Sequence, residues 1–282
     1  MTRLHPSEYE DIVRRALAED IGTGDITTSA TVSADVVARA AIVSKGSYVI
    51  AGLDVALETF RQVDAKITVD VAICDGQEAT RGQAVATMQG RGDAILSAER
   101  TALNFLQHLS GIATLTRRYV AAAAGRVAIL DTRKTIPTLR ALAKYAVRCG
   151  GGLNHRTGLF DAILIKDNHI RLAGGIEAAI ARARERWPGR TVEVETQSLA
   201  EVREAVRSGA DVIMLDNQSH EEMREAVAIV GGRANVEISG GVSLADIPAL
   251  ATLGATWISV GALTHSAPAA DFSLEFEARG SH

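Results

Sequence analysis

Short runs rich in β-branched residues recur through the last two-thirds of the chain, and each closes on a polar residue or a glycine. Residues 127–130 lead to Asp131, 162–165 to Lys166, 192–194 to Glu195, 212–215 to Asp216, 236–238 to Ser239 and 257–260 to Gly261. The last four closing residues lie 21 to 23 positions apart, and helical patterns such as 198–208 and 219–230 fill the spaces between them. A repeat of this kind predicts parallel strands alternating with helices, and nearly unbroken apolar runs predict strands buried on both faces. Every run delivers its polar residue at the same strand end. That predicts a (β/α) barrel rather than an open doubly wound sheet, with chemistry on its C-terminal rim.

The first hundred residues follow a different pattern. They predict an amphipathic helix over 7–19, a hairpin turning at Lys45-Gly46, a helix over 54–63, and strands over 67–73 and 84–88, which together make a separate α+β domain. Residues 75–85 resemble a lipoyl-type half barrel, but no lysine stands at the turn to carry a prosthetic group, so the segment is expected to be scaffold. A long helix over 93–123 is expected to join the domains, with Leu103, Leu106, Leu109 and Ile112 toward a core and Glu99 and Arg100 near its start.

Composition narrows the function classes. The 282 residues are 47% hydrophobic and 23% charged, an ordinary globular balance, and the net charge of −4 provides no general attraction to nucleic acid or acidic lipid. The longest apolar stretches fall far short of the roughly 18 to 20 residues that cross a bilayer, and the N-terminus lacks the apolar core of a secretory signal. Cys74 and Cys149 stand far apart without CxxC spacing, which points to a reducing, cytoplasmic setting and no metal knuckle. Residues 279–282 read as the start of a purification tag.

Charge is nevertheless concentrated in one place. Between Asp131 and Arg171 there are eight Lys and Arg against three acids, and three of the chain's five lysines fall there. Arg140, Lys144 and Arg148, four apart, fit a solvated helix face or an anion site equally well. Arg133 and Lys134 directly follow a strand, His155 and Arg156 follow the glycines 150–152, and Lys166 ends a buried run. These are candidates for an anion pocket. Ser239-Gly240-Gly241 and Gly261-Ala262 end the last two runs, where glycine lets backbone N–H groups approach a phosphate, and Glu195 and Asp216 add neighbouring carboxylates able to meet sugar hydroxyls or Mg2+.

These stretches resemble the quinolinate phosphoribosyltransferase family nearly end to end. The resemblance is carried by residues 19–28 (EDIGTGDITT), by Glu99-Arg100-Thr101 through Asn104 to the 110–114 stretch, by Asp131-Thr132-Arg133-Lys134-Thr135, by 144–152 (KYAVRCGGG) and by Asn154-His155-Arg156. Ile165 through His169, Leu215-Asp216-Asn217, Ser239 through Gly241 and 260–266 complete it. It implies an α/β architecture: an incomplete (β/α) barrel of about seven parallel strands over 114–266, an N-terminal α+β open-sandwich domain over 1–113, and a segment 267–278 that packs back onto the latter.

The resemblance also implies roles. Arg100, from a partner subunit, with Thr132, Arg133, Lys134, His155, Arg156, Lys166, Glu195 and Asp216 would bind quinolinate and phosphoribosyl pyrophosphate. Lys134, Lys166, Glu195 and Asp216 would be catalytic. Ser239, Gly240, Gly241, Val260, Gly261 and Ala262 would hold the 5-phosphate, and Glu195 and Asp216 would meet Mg2+, partly through substrate. No organic cofactor, nucleic acid or membrane is expected, and the active unit would be a homodimer or a hexamer of dimers. One departure is Thr138, where the family usually has glycine after the proline of the TRKT-x-P turn. The residues leave other readings open: a molybdate-uptake-associated paralogue, a Schiff-base aldolase using Lys166, a zinc site of His155, His169, Glu195 and Asp216, and a nucleophilic Cys149.

Overall fold

The computed structural model describes residues 3–277, so the expected tag residues 279–282 lie outside it, as does residue 278 of the C-terminal segment. In chain order, after a 3-10 turn at Pro6–Glu8, come α1 (Glu10–Ile21), α2 (Ile26–Thr31), β1 (Val37–Ser44), β2 (Tyr48–Val49), α3 (Leu53–Val63), β3 (Thr68–Val71), β4 (Glu78–Ala79), β5 (Ala84–Arg91) and the long α4 (Gly92–Ala123). Then follow β6 (Ala128–Leu130), α5 (Arg140–Cys149), β7 (Ile163–Ile165), α6 (Asp167–Ala173), α7 (Ile176–Arg186), β8 (Val192–Thr196), α8 (Leu199–Arg207), β9 (Val212–Asp216), α9 (His220–Val230), β10 (Asn235–Ser239), α10 (Ile247–Leu250), β11 (Trp257–Ser259), α11 (Ala262–His265) and β12 (Phe272–Phe276). None of the helices among the described residues is long and apolar enough to cross a membrane.

The chain divides into two compact units. Of the described residues, one takes in 3–117, Thr135–Gly151 and 264–277; the other is Arg118–Lys134 with Gly152–Leu263.

In the first unit an antiparallel sheet runs β12-β1-β5-β3 beside a two-stranded β2-β4 ladder. Helix α3 buries Leu53, Ala56, Leu57 and Phe60, the i, i+3, i+4, i+7 stripe of an amphipathic helix, against Ile42 and Met88 of the sheet and Ile95, Leu103 and Leu106 of α4. Asp75 caps α3: its carboxylate accepts the N–H groups of Gly52 (3.0 Å) and Leu53 (3.1 Å), and Tyr145 donates its hydroxyl to the same group at 2.7 Å. Burial pushes Asp75 above the usual carboxylate range, with Tyr145 and the two amides opposing.

The expected hairpin at Lys45-Gly46 does not form, since β1 and β2 lie in different ladders. The backbone after β1 is taken by distant partners instead: Ser44 N–H donates to Gln83 O and Lys45 N–H to Asp271 O, both at 2.9 Å. Tertiary pairing here outcompetes the local turn. The basic helix α5 also departs from a solvated face, because Lys144 is only 3% exposed and the Arg148 guanidinium lies 5.5 Å from the centre of the Tyr145 ring.

Thr138 has φ +69°, in the left-handed region that a β-branched side chain rarely adopts. Such a backbone costs a non-glycine residue about 1–2 kcal/mol, against about 0.5–1 kcal/mol for glycine's greater unfolded-state freedom. Thr138→Gly is therefore expected to raise Tm by about 1–3 °C in a thermal melt. A lower Tm would mean that the threonine side chain makes a compensating contact.

The second unit is the parallel layer. Its strand order is β6-β11-β10-β9-β8-β7, every pairing is parallel, and α7, α8 and α9 alternate with the strands. A seventh position is supplied by Leu153, which forms a single parallel bridge to Leu130; its N–H donates to Ile129 O at 2.8 Å, and its carbonyl accepts from Asp131 N–H at 3.1 Å. Among the described residues no ladder joins Leu153 to β7, so the barrel stays open there. Serines end the loops and start the helices as expected, Ser198 accepting from Glu201 N–H and Ser219 from Glu222 N–H.

Candidate active site

Strand order sets the order of chemistry around the rim. Next to the bridge come His155 and Arg156, then Arg133 and Lys134 after β6, Val260 and Gly261 after β11, Ser239-Gly240-Gly241 at β10, Asp216 ending β9, Glu195 near the end of β8 and Lys166 after β7. All of these belong to the parallel unit, and parallel strands bring their C-terminal ends to one side. The sequence alone spreads them over 129 positions, from Arg133 to Gly261.

The basic side is built on Asp131, fully buried just after β6. Its carboxylate accepts the His155 N–H at 2.9 Å and the Asn154 Nδ2 at 2.6 Å, which fixes the loop carrying His155 and Arg156. Lys134 is exposed, and its N–H donates to Thr132 Oγ1 at 3.1 Å. Arg156 is held below the usual arginine range, first by burial and then by the Arg133 guanidinium. Two neighbouring cations in a half-buried place favour an anion beside them, and the Glu193 and Asp161 carboxylates already offset part of the charge on Arg156.

At the glycine ends the close approach is explicit. Gly240 has φ +96°, and a Cβ there would stand 2.4 Å from Asn217 Oδ1 and 2.7 Å from Asn217 N. Asn217 itself has φ +54°, and its N–H donates to Ser239 O at 3.1 Å. The turns after β9 and β10 thus interlock, and only glycine fits at 240.

On the acidic side Lys166 Nζ is paired with Glu195 Oε2, the lysine about 41% exposed and the glutamate 11%. Lys166 N–H donates to His169 Nδ1 at 2.9 Å, and Asp216 accepts from Asn217 Nδ2 at 2.8 Å. Arg100 is exposed on α4 in the other unit.

Two alternatives lose their basis. Among the described residues His155 gathers with Glu193 and Glu237, and not with His169, Glu195 and Asp216 as the zinc reading needed. The Cys149 thiol is pushed up to about 12, chiefly by burial, which removes the thiolate that a nucleophile requires.

Glu193 and Glu237 were missed by the sequence reading. Each sits inside a buried strand, and a carboxylate within an otherwise apolar run such as Val192-Glu193-Val194 was the available signal. Burial first, and the Glu193 carboxylate second, push Glu237 up to about 7. Between pH 5 and 7 the folded chain then keeps a proton that the unfolded chain has lost, so this group's contribution to stability falls as pH rises through that window, on the order of 2–3 kcal/mol in all. His108, pushed down by burial, acts with the opposite sign. The expected result is therefore a difference: Glu237→Gln loses less Tm than the parent between pH 5 and 7.5. Parallel Tm curves would refute the assignment.

An open α/β barrel with cations, glycine turns and carboxylates along one strand-end rim is the architecture of an α/β-barrel enzyme. Comparison with known proteins agrees: residues 25–110 match the quinolinate phosphoribosyl transferase N-terminal domain, and 112–275 match the C-terminal domain. The chain belongs to the quinolinate phosphoribosyltransferase family. It is 41% identical over 270 residues to a probable carboxylating nicotinate-nucleotide pyrophosphorylase of Bacillus subtilis, covering 95% of this chain and 93% of that one. Among solved structures it is similar to the nicotinate-nucleotide pyrophosphorylase of Francisella tularensis (42% identity, TM-score 0.94, 98% of each chain). It is equally similar to NadC of Streptococcus pyogenes (42%, 0.94, 99% of this chain and all of that one).

Proposed function

We propose that the chain transfers the phosphoribosyl group of phosphoribosyl pyrophosphate to the ring nitrogen of quinolinate, with loss of CO2, giving nicotinate mononucleotide and pyrophosphate for NAD biosynthesis. The observation that carries this reading is the placement of the opposed Arg133 and Arg156 on the same rim as the glycine ends, Glu195, Asp216 and Lys166. A pyridine dicarboxylate relieves the repulsion of two guanidiniums, whose planar forks suit carboxylates, while lysine provides a compact charge for phosphate.

In this reading Thr132, Arg133, Lys134, Arg156 and Lys166 line the pocket with His155 held directly behind Arg156, and residues 239–241 and 260–262 hold the 5-phosphate. The quinolinate nitrogen forms a bond to ribose C1 as the C1–O bond breaks and pyrophosphate leaves with that electron pair. Glu195 and Asp216 hold the ribose hydroxyls and offset the positive charge developing at C1. The bond to the carboxylate next to the alkylated nitrogen then breaks, its electrons stay on the ring carbon beside the pyridinium, and a proton replaces CO2 there. The protein's contribution is orientation and preset charge, so no organic cofactor is required. Glu195 and Asp216 would offer hard carboxylate oxygens to Mg2+ carried on the pyrophosphate substrate, where the ion would offset the charge of the leaving group.

Arg100 completes the pocket of a second copy, which makes a dimer, alone or within a hexamer, the active unit. The two free cysteines suit a cytoplasmic protein. Purified protein given quinolinate, phosphoribosyl pyrophosphate and Mg2+ is expected to release CO2 and nicotinate mononucleotide, and to leave nicotinate unused in a parallel reaction. Folded protein without turnover would overturn the reading.

A further inference from the structure

Behind the rim, three side chains from three segments of the parallel unit meet. His155 Nε2 lies 3.1 Å from Glu193 Oε2 and 3.6 Å from Glu237 Oε2, and the side chains are 11%, 8% and 1% exposed. The other imidazole nitrogen is also engaged: Nδ1 accepts the Arg156 N–H at 2.8 Å. An imidazole that accepts at Nδ1 carries its proton on Nε2, and that N–H faces the two carboxylates. Both ring nitrogens are thus committed within the protein.

The three groups have the types and spacing of a divalent-metal site. The tautomer argues against one, because a metal on Nε2 requires the proton on Nδ1, where the Arg156 N–H already points. What remains is a hydrogen-bonded chain that runs from the strand interior to the backbone of a pocket arginine. Glu193 Oε1 and Glu237 Oε1 are buried without a protein hydrogen-bond partner, and the His155 imidazole is what the other oxygen of each carboxyl group approaches.

We infer that Glu193 and Glu237 are positioning residues that act through His155: they hold its imidazole in the Nε2–H form, which makes Nδ1 the acceptor that fixes the Arg156 backbone and aims its guanidinium at a substrate carboxylate. This rests on the proposed pocket role of Arg156. It separates quinolinate binding from phosphoribosyl pyrophosphate binding, since the chain ends at an arginine on the basic side of the rim and not at the glycine ends.

The test is a long-range proton–nitrogen correlation spectrum of histidine-15N protein without substrate, with the His155 signals assigned by their loss in His155→Gln. The Nε2–H pattern is expected. Glu193→Gln keeps an acceptor oxygen and is expected to keep both the tautomer and the quinolinate KM within about twofold. Glu193→Leu removes the acceptor and is expected to shift the tautomer and to raise the quinolinate KM about tenfold, the equivalent of one charge-assisted hydrogen bond, with a much smaller change in the phosphoribosyl pyrophosphate KM. An Nδ1–H pattern in the parent protein would overturn the inference, and so would equal changes in both KM values. Should Glu193→Leu not fold, the parent and Glu193→Gln spectra still decide. Because the spectrum needs no turnover, absence of quinolinate activity with the Nε2–H pattern intact would remove the proposed reaction and leave the tautomer chain standing.

Discussion

Lys166→Ala is expected to lower kcat/KM for quinolinate about 10²- to 10³-fold while leaving the protein folded. The loss of activity and the retained fold have different causes. The lysine stands at the rim with its ammonium against Glu195, yet it is about 41% exposed, and a pair so open to water contributes no more than about 1 kcal/mol to stability. In the proposed site it would supply a positive charge where two anions meet, and bound substrates would displace the water that screens the free pair. Lys166→Arg separates this electrostatic role from a Schiff-base role: a retained charge restores part of the activity, whereas no arginine can replace a lysine nucleophile. Steady-state kinetics and a melt on the same preparations check both. Activity within tenfold of the parent for the alanine variant would take Lys166 out of the chemistry.

Mixing inactive Arg100→Ala chains with inactive Lys166→Ala chains is expected to restore activity. If Arg100 serves the pocket of a second copy, each mixed dimer contains one site with both residues intact and one with neither. Random reassociation of equal amounts then yields about a quarter of the parent activity. Arg100 is exposed on α4 in the first unit, whereas Lys166 lies in the parallel unit, so the two substitutions perturb separate packing environments. Mixed dimers shown by mass to have formed, yet without activity, would refute the shared pocket.

The interlock at Gly240 shows what motif reading could and could not see. A Gly-Gly pair after a strand suggests room for a phosphate, but the close approach of Asn217, which excludes any Cβ at 240, joins two turns 23 residues apart. The same holds for Asp131. In the sequence it is a polar residue ending a run; in the structure it ties down the loop of Asn154 and His155, more than 20 residues later.

Strand positions, the spacing of the βα repeat, the helix starts at Ser198 and Ser219, and the residue types at each strand end were legible in the chain, because they depend on local periodicity and on side chains bonding backbone a few residues away. Tertiary structure alone decided the rest. The hairpin at Lys45-Gly46 gave way to pairing with strands far along the chain, because long-range ladders bury more apolar surface than an isolated two-strand turn. Lys144 went into the interior, although its spacing fitted a wet helix face as well as an anion site. The order of cations, glycines and acids around the rim follows from the order β6-β11-β10-β9-β8-β7, which no local signal encodes. Glu193 and Glu237 passed unnoticed within their strand runs, and are a pair facing one imidazole only because parallel packing brings β8, β10 and the loop after Leu153 together.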